Sequence, residues 1–548
     1  MYRTERIREE PKRPNIVCIM PDDTDFMWLS CYGGITPTPN IDRIAEEGMR
    51  FDNMTCSASA CTPSRYSYLT GHYAGRCPDS HFLKENPLDE PYSVAWNTVL
   101  NGEMSSLGKV LQAHGYRTGL AGKWHVGRPR SEMGLPDLPA DADLDDPEID
   151  GKLREYQRIL AEEVRETGGF DVATSIVWGN NESFPIKALQ EHNLEWITKG
   201  ALDFLETCSE EEPFFLYVTP TAFHGPPHDE SYQQDPHYTQ GGKLNELSGA
   251  HPPRSEMKDR LAERGLPFNH DTVGITWIDD QVGAILRKLE SMGIAEETWV
   301  IFKVDHNTET GKGTCYQKGI RIPMVMRWPG RIDPGSITGA RLQNVDFLST
   351  VLEAAGIDLP LDMRVDGVSW MPLLDGDTDS LHEDLFFEFG YTRAVWAGRW
   401  KYIALRYPQR LLDAMAAGEL EEAPNHINRR MQGQMNVAIE TYPHYFDPDQ
   451  LYDTEADPDA QHNLADDPDY AGVLTEMKSR LQRYLDTFKH PFDLEVPALM
   501  RSERYRELCD ETRKIGTDYL SWWPKDHWWE DARSDTPGDA SGDAEEDE

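Results

Sequence analysis

The segment NIVCIMPDD (15–23) decides the fold class, because it joins a buried strand directly to acidic side chains. Residues 16–20 of this segment are apolar on both faces, which is typical of a strand inside a largely parallel sheet. Asp22 and Asp23 follow at once, at the strand end where open α/β sheets bind their ligands.

Further apolar runs along the chain also end in polar residues. They are PFFLYVT (213–219) with His224 beyond it, TWVIFKV (298–304) with Asp305 and His306, and GYRTGLAGKWHVG (115–127) with Lys123 and His125. Segments of helical periodicity, such as 41–51 and 275–293, lie between the runs. This alternation predicts an α/β fold with a large mixed, mostly parallel sheet sandwiched by helices. Because the carboxyl ends of parallel strands meet at one edge, we expect these polar residues to converge on one cleft.

Charge and composition exclude several classes of partner. The 548 residues carry 54 Lys+Arg against 96 Asp+Glu, a formal net charge of −42, which disfavours nucleic acid and anionic membranes as partners. No apolar run approaches the roughly 18 residues that a membrane span needs. The charged N-terminus shows no signal peptide, so we expect a cytoplasmic protein, with a periplasmic or secreted one left open for a trimmed chain. The eight cysteines include no CxxC pair and indicate neither a zinc site nor a dense disulfide framework.

The segment SACTPSRYSYLTG (59–71) is the sharpest local signal. Pro63 fits the first turn of a helix that starts at Cys61, where free backbone N–H groups and the helix dipole favour an anion. Arg65 lies four residues further, on the same helical face. The residues alone leave two interpretations open: an anion site, and an ordinary buried cysteine beside an ion-paired arginine.

CTPSR followed by LTG resembles the signature of the sulfatase family, in which a formylglycine-generating enzyme converts the cysteine to formylglycine. Other segments resemble the family in the same order, from about residue 14 to 490. They are NIVCIMPDD (15–23), GYRTGLAGKWHVG (115–127), FHGPPH (223–228), VDHNTETGKGTCYQKGIRIPMVMRWPG (304–330), RAVWAGRWKYI (393–403) and QLYDTEADPDAQHNLA (450–465). The resemblance implies an alkaline phosphatase-like fold and the hydrolysis of aryl or carbohydrate sulfate monoesters.

The resemblance also implies one divalent cation. Its ligands would be Asp22, Asp23, Asp305 and His306, with the formylglycine at position 61 completing the shell. A carboxylate majority suits a hard cation, so Ca²⁺ is expected first, with Mg²⁺ and Mn²⁺ as alternatives. One position departs from the family pattern, because Asn307 stands where glycine is more usual.

The catalytic residues that the resemblance implies are Cys61, Arg65, Lys123, His125, His224, Asp305 and Lys312. The arginine and the two lysines would hold the anionic ester. A hydroxyl of the formylglycine hydrate, deprotonated by Asp305, would attack sulfur, and His224 or Lys312 would protonate the leaving alcohol. His125 would then take a proton from the second hydroxyl, which releases sulfate.

After about residue 380 the sequence changes to alternating aromatic runs such as LFFEFG (385–390), which predict an antiparallel sheet followed by a helix over 471–488. We therefore predict a catalytic sulfatase domain over 1–380, a smaller C-terminal antiparallel α+β subdomain over 381–530 and a disordered acidic tail over 531–548.

Two alternative functions remain open at this level. One is a phosphonate monoester or phosphodiester hydrolase, because the same cation and clamp suit tetrahedral phosphorus. The other is a non-catalytic sulfated-glycan-binding protein in which Cys61 is never converted. Loops 128–169, 220–270 and 405–447 are expected to select the substrate. His228 and His270 are candidates for its pocket, and the sequence indicates no oligomeric state.

Overall fold

A computed structural model of the protein describes residues 13–209, 211–307, 310–361, 363–419 and 438–522. Its strands, numbered in chain order, are β1 Asn15–Ile19, β2 Met49–Phe51, β3 Met54–Thr55, β4 Arg117–Lys123, β5 Val172–Val177, β6 Phe214–Thr219, β7 Tyr238–Thr239, β8 Gly242–Lys243, β9 Thr298–Lys303, β10 Met324–Arg327, β11 Ser336–Thr338, β12 Leu342–Gln343, β13 Asp384–Phe389, β14 Thr392–Ala397, β15 Trp400–Leu405 and β16 Asp449–Asp453.

The α-helices lie mostly between these strands. They are α1 Pro39–Glu46, α2 Cys61–Thr70, α3 Ser80–Glu85, α4 Leu107–Ala113, α5 Pro147–Gly168, α6 Leu194–Glu206, α7 His228–Gln233, α8 Met257–Glu263, α9 His270–Ser291, α10 Gln317–Ile320, α11 Asp346–Ala354, α12 Met371–Leu374, α13 Gln409–Ala417, α14 Ala471–Leu485 and α15 Glu503–Trp522. None of the helices in the described ranges combines the length and the apolar character that crossing a bilayer requires.

The large sheet has eight strands in the order β11-β2-β10-β9-β1-β6-β4-β5. Its central strand β1 runs parallel to β6 on one side and to β9 on the other, with Ile16 opposite both Phe215 and Trp299. Because β10 runs antiparallel to β9 and to β2, the sheet is mixed but mostly parallel, as predicted. The three strands that lead into the acidic and histidine residues are therefore direct neighbours.

The core of the sheet consists of strands that are buried on both faces. Every residue of β6 and β9 is buried. Two groups of helices contribute to the packing around the sheet: one consists of α1, α6 and α9, and the other of α2, α4 and α11. The small residues of β4 have a packing reason, because a Cβ atom on Gly119 would lie 2.5 Å from the Phe204 ring of α6. Each large apolar side chain buried in this way contributes roughly 1.5–3 kcal/mol.

The smaller sheet is antiparallel, in the order β13-β14-β15-β16. Helix α14 packs on it and buries Met477 and Leu481 in one apolar cluster with Phe386 and Tyr402. The predicted fold class, a large mixed sheet with helices and a small antiparallel sheet beyond it, is confirmed.

The domain boundaries stay predictions. The boundary expected near residue 380 falls between α12 and β13. One cluster of buried apolar side chains includes residues from both sides of it. For example, the Trp96 ring packs edge-on against Phe389, with the ring centroids 5.8 Å apart. The acidic tail over 531–548 lies outside the described residues.

One local prediction is wrong. The helical pattern over 41–51 ends at Glu46, and Met49–Phe51 pairs as β2 with β10. The reason is the tight approach at Gly48, where a Cβ atom would lie 2.0 Å from the carbonyl oxygen of Met326.

Candidate active site

Cys61 occupies the first turn of α2, as the sequence predicted. Ala60 before it is extended, and the Cys61 side chain is buried, with only 1% of its surface exposed. The helix is fixed against the end of β9, because the Ser64 hydroxyl donates to the carbonyl oxygen of Asp305 at 2.5 Å and the Tyr68 hydroxyl to that of Val304 at 3.1 Å. This packing brings position 61 to the carboxyl edge of the sheet.

Four of the predicted metal ligands converge at this edge. The ligand atoms of Asp22, Asp23, Cys61 and His306 all lie within 4.8 Å of one another, and all four side chains are buried. His306 Nε2 is 2.9 Å from Asp23 Oδ1 and 3.2 Å from the Cys61 sulfur. These four residues, hereafter the metal cluster, come from β1, α2 and the end of β9, so the predicted convergence is present.

Asp305 lies next to the metal cluster but is not one of its four residues. Its Oδ1 accepts hydrogen bonds from the backbone N–H groups of Asp23 at 3.3 Å and His306 at 3.0 Å, and its Oδ2 accepts one from Arg65 Nε at 3.0 Å. These contacts fix the two ligand-bearing turns relative to each other. Whether Asp305 is itself a ligand or a base stays a prediction.

The three predicted cationic residues all pair with these aspartates. Arg65 Nη2 donates to Asp22 at 3.3 Å, and Lys123 donates to the other oxygen of the same carboxylate. Lys312 Nζ donates to both oxygens of Asp23, at 2.9 and 2.6 Å. The cations therefore hold the carboxylates in place, in addition to the ester-binding role that the sequence predicts for them.

The charged groups of the site shift one another's pKa values. Burial alone would raise the pKa of Asp22, but Lys123 and Arg65 hold it well below its usual range. Burial and the Asp22 carboxylate raise the pKa of Asp305 to about 6. Burial lowers the pKa of His306, but Asp305 and Asp23 outweigh it and raise the value well above its usual range. Both shifts follow from the crowding of carboxylates around these two groups.

The arrangement of the donors fits a divalent cation. His306 Nδ1 faces the carbonyl oxygen of Asn307 at 3.2 Å, which anchors the ring through Nδ1 and leaves Nε2 as the nitrogen that faces the metal cluster, the arrangement usual for ligating histidines. Asp23 holds a positive φ of 53°, a conformation that costs energy and recurs at functional sites. A thiol at position 61 is a soft donor, whereas an oxygen there would complete a donor set that hard cations prefer.

The two remaining predicted histidines flank this centre. His125 follows β4 with a φ of 58°, and its backbone N–H donates to the carbonyl oxygen of Trp178 at 3.0 Å. Burial and the charge of Lys123 hold the pKa of His125 well below its usual range, so the ring is neutral and able to accept a proton. The His224 side chain is partly exposed at the end of the loop that follows β6.

Two residues that the sequence did not indicate also contact the predicted catalytic groups. Asn180 accepts a hydrogen bond from Lys123 Nζ at 2.7 Å, and Glu182 Oε1 lies 3.5 Å from His224 Nδ1. Both follow β5, the edge strand beside β4. The signal that found the other residues, a polar side chain just after a strand, is present here in IVWGNNE (176–182).

The structure gives no support for a direct substrate contact by His228. The side chain is fully buried, and its ring stacks on His270 with centroids 4.0 Å apart and packs edge-on to Phe223 at 4.8 Å. The pocket role of His228 and His270 stays a prediction.

A buried cluster of carboxylates that fits a cation, with arginine and lysine side chains around it, lies at the ligand-binding edge of a mostly parallel sheet. Fold and site together therefore define a hydrolase for anionic tetrahedral esters. The family model "Sulfatase" matches residues 14–357. The chain belongs to the sulfatase family and is a sulfuric ester hydrolase.

Individual relatives cover most of the chain. Human arylsulfatase A is 29% identical over 524 residues, covering 88% of this chain and 89% of the relative. An N-acetylglucosamine-6-O-sulfatase of Bacteroides thetaiotaomicron is 25% identical, covering 88% of each. A solved structure of BT4656 with its substrate D-glucosamine-2-N,6-O-disulfate shares the fold, with a TM-score of 0.56, 20% identity and coverage of 87% of this chain and 98% of that one. The comparisons do not favour the phosphorus ester or the non-catalytic alternative.

Proposed function

We propose that this protein hydrolyses sulfate monoesters of aryl or carbohydrate alcohols through a formylglycine at position 61 and one divalent cation, with Ca²⁺ as the first candidate. The single observation that carries the proposal is the metal cluster, in which the ligand atoms of Asp22, Asp23, Cys61 and His306 lie within 4.8 Å of one another although they come from three separate stretches of the sequence. The named relatives act on aryl and aminosugar sulfates, which supports the same two alcohol classes here.

Asp22, Asp23, His306 and the residue at position 61 would hold the cation. When bound, a divalent cation supplies positive charge to the sulfate oxygens and favours the ionised form of a nearby hydroxyl. Formylglycine, once formed, supplies a geminal diol as nucleophile, which an unmodified cysteine lacks. We propose that Asp305 takes the proton of the attacking hydroxyl, since its carboxylate is held next to the metal cluster by Arg65.

The two candidates for the proton donor differ in their surroundings. Lys312 Nζ donates to both carboxylate oxygens of Asp23, which ties this ammonium group to a proposed metal ligand. The His224 side chain is 12% exposed against 3% for Lys312, so His224 is the closer of the two to solvent. We therefore assign the donor role to His224, and Lys312 and Arg65 keep the carboxylates ordered. His125, neutral at pH 7, is the base for the second proton.

Conversion of Cys61 can be measured directly. We expect the peptide that contains Cys61, from protein made in a host with a formylglycine-generating enzyme, to be lighter than its cysteine form by about 18 Da. An unmodified thiol in fully active protein would contradict the nucleophile. The peptide containing Cys208 serves as the control, because it should keep its encoded mass in the same digest.

Metal removal should reduce turnover reversibly. After dialysis against a chelator we expect kcat to fall by about 10²-fold or more, because the metal cluster then lacks its neutralising charge. Adding Ca²⁺, Mg²⁺ or Mn²⁺ singly should restore it, with Ca²⁺ most effective. Full activity in protein that holds less than about 0.1 metal ion per chain, measured by elemental analysis, would contradict the cation's role.

A further inference from the structure

The segment Trp178–Glu182 contacts three of the predicted catalytic residues from one side. The carbonyl oxygen of Trp178 accepts from the backbone N–H of His125, Asn180 accepts from Lys123, and Glu182 faces His224. No motif of the sequence analysis includes this segment. The contact between Glu182 and His224 is the one that bears on proton transfer.

Both neighbours of His224 Nδ1 are hydrogen-bond acceptors. Glu182 Oε1 lies at 3.5 Å and the carbonyl oxygen of Gly225 at 3.2 Å. Since neither oxygen carries a hydrogen, the hydrogen must belong to Nδ1. Nε2 is then the ring nitrogen available to a substrate, and a proton on it is the one that the ring can give away.

The backbone of His224 is fixed independently of its ring. His192 Nε2 lies 2.8 Å from the carbonyl oxygen of His224 and 3.1 Å from that of Pro226, and its Nδ1 lies 2.7 Å from the Thr221 hydroxyl. His192 is 2% exposed. With the main chain held in this way, the orientation of the His224 ring depends on what contacts Nδ1.

We propose that Glu182 is a positioning residue for His224: its carboxylate, together with the Gly225 carbonyl oxygen, keeps the hydrogen on Nδ1, so that Nε2 presents its proton to the oxygen of the leaving alcohol. When the sulfur–oxygen ester bond breaks, that oxygen keeps the bonding electron pair and takes the Nε2 proton, which yields the neutral alcohol. The ring keeps the hydrogen on Nδ1 beside Glu182 and becomes neutral. This inference rests on the proposed function.

The effect should depend on the leaving group. An alcohol that leaves readily as an anion needs little help from an acid, whereas a poor leaving group needs the proton. General acids contribute about 10²–10⁴-fold, and a carboxylate that is 46% exposed and only orients the acid should account for a smaller part, about 10-fold.

The experiment compares Glu182→Ala, Glu182→Gln and His224→Ala on a series of phenyl sulfates that differ in the acidity of the phenol that leaves. The least acidic leaving group is phenol itself, with a pKa of about 10, which phenyl sulfate releases. We expect kcat of Glu182→Ala to fall about 10-fold on phenyl sulfate and less than about 3-fold on the most acidic phenol, with KM unchanged. Glu182→Gln should recover part of the loss, because its amide oxygen still accepts from Nδ1. The double variant should be no slower than His224→Ala alone, because both act on one proton.

The chain offers a matched control in Glu132. Its side chain is 47% exposed, close to the 46% of Glu182, and it contacts His81 Nε2 at 2.9 Å, a glutamate–histidine pair away from the metal cluster. Glu132→Ala should leave every rate unchanged. Equal losses on all phenols for Glu182→Ala, or additive losses in the double variant, would overturn the inference. If the wild type released no sulfate from any of these phenyl esters, the aryl branch of the proposed function would fail, and the inference drawn for phenol leaving groups with it.

Discussion

Cys61→Ala is expected to lower kcat by at least about 10⁴-fold on any sulfate ester that the wild type turns over. The side chain at position 61 is the only one in the metal cluster that can become an aldehyde hydrate, and its loss removes the nucleophile itself rather than a group that assists it. Substrate binding should survive, because the cationic side chains of Arg65, Lys123 and Lys312 and the three other residues of the metal cluster remain. The defect should therefore appear in kcat more than in KM.

The fold should tolerate this change. Removing one sulfur atom from a buried position costs on the order of 1 kcal/mol, a small part of the stability of a domain. The matched control is Cys208→Ala, which removes a half-buried thiol two residues beyond α6 and should keep full activity. Turnover by Cys61→Ala within about 10-fold of the wild type would refute the assignment.

Asp22→Asn is expected to abolish most metal binding and to lower turnover by about 10²–10³-fold. The substitution keeps the shape of the side chain but removes the charge that both Lys123 and Arg65 contact. Those two buried cations would then face a neutral amide, and the metal cluster would hold one carboxylate instead of two. Elemental analysis of the folded fraction should show metal content falling from about one ion per chain to a small fraction of it.

Loss of a buried ion-pair partner also destabilises a protein, commonly by about 3–5 kcal/mol, so a matched control is needed. Asp366 contacts Arg76 at 2.8 Å outside the metal cluster. Asp366→Asn should lower the melting temperature but keep its metal. Unchanged metal content in Asp22→Asn would count against the ligand role, whatever its stability.

The sequence predicted the site well where the chain itself carries a strong local pattern. Asp22, His224 and Asp305 all follow β1, β6 or β9, strands apolar on both faces, and the fold places these strands side by side at the centre of the sheet. The start of α2 at Cys61 was likewise predictable, because proline and small polar residues mark a helix N-terminus.

The missed residues lie where that pattern is weak. Asn180 and Glu182 follow β5, an edge strand whose first three residues are only partly buried, so VATSIV (172–177) does not read as a core strand. The pairing of Arg65 with Asp22 and Asp305 depends on distances between three separate elements, which no local pattern encodes. The cytoplasmic location stays a prediction.

The most direct test is a crystal structure of the converted, Ca²⁺-loaded enzyme with anomalous scattering to locate the ion. We predict one cation between Asp22, Asp23 and His306, with an oxygen of the modified residue 61 at about 2.3–2.6 Å from it. A fully occupied cation bound elsewhere, with residue 61 beyond coordination distance of any ion, would contradict the proposed centre.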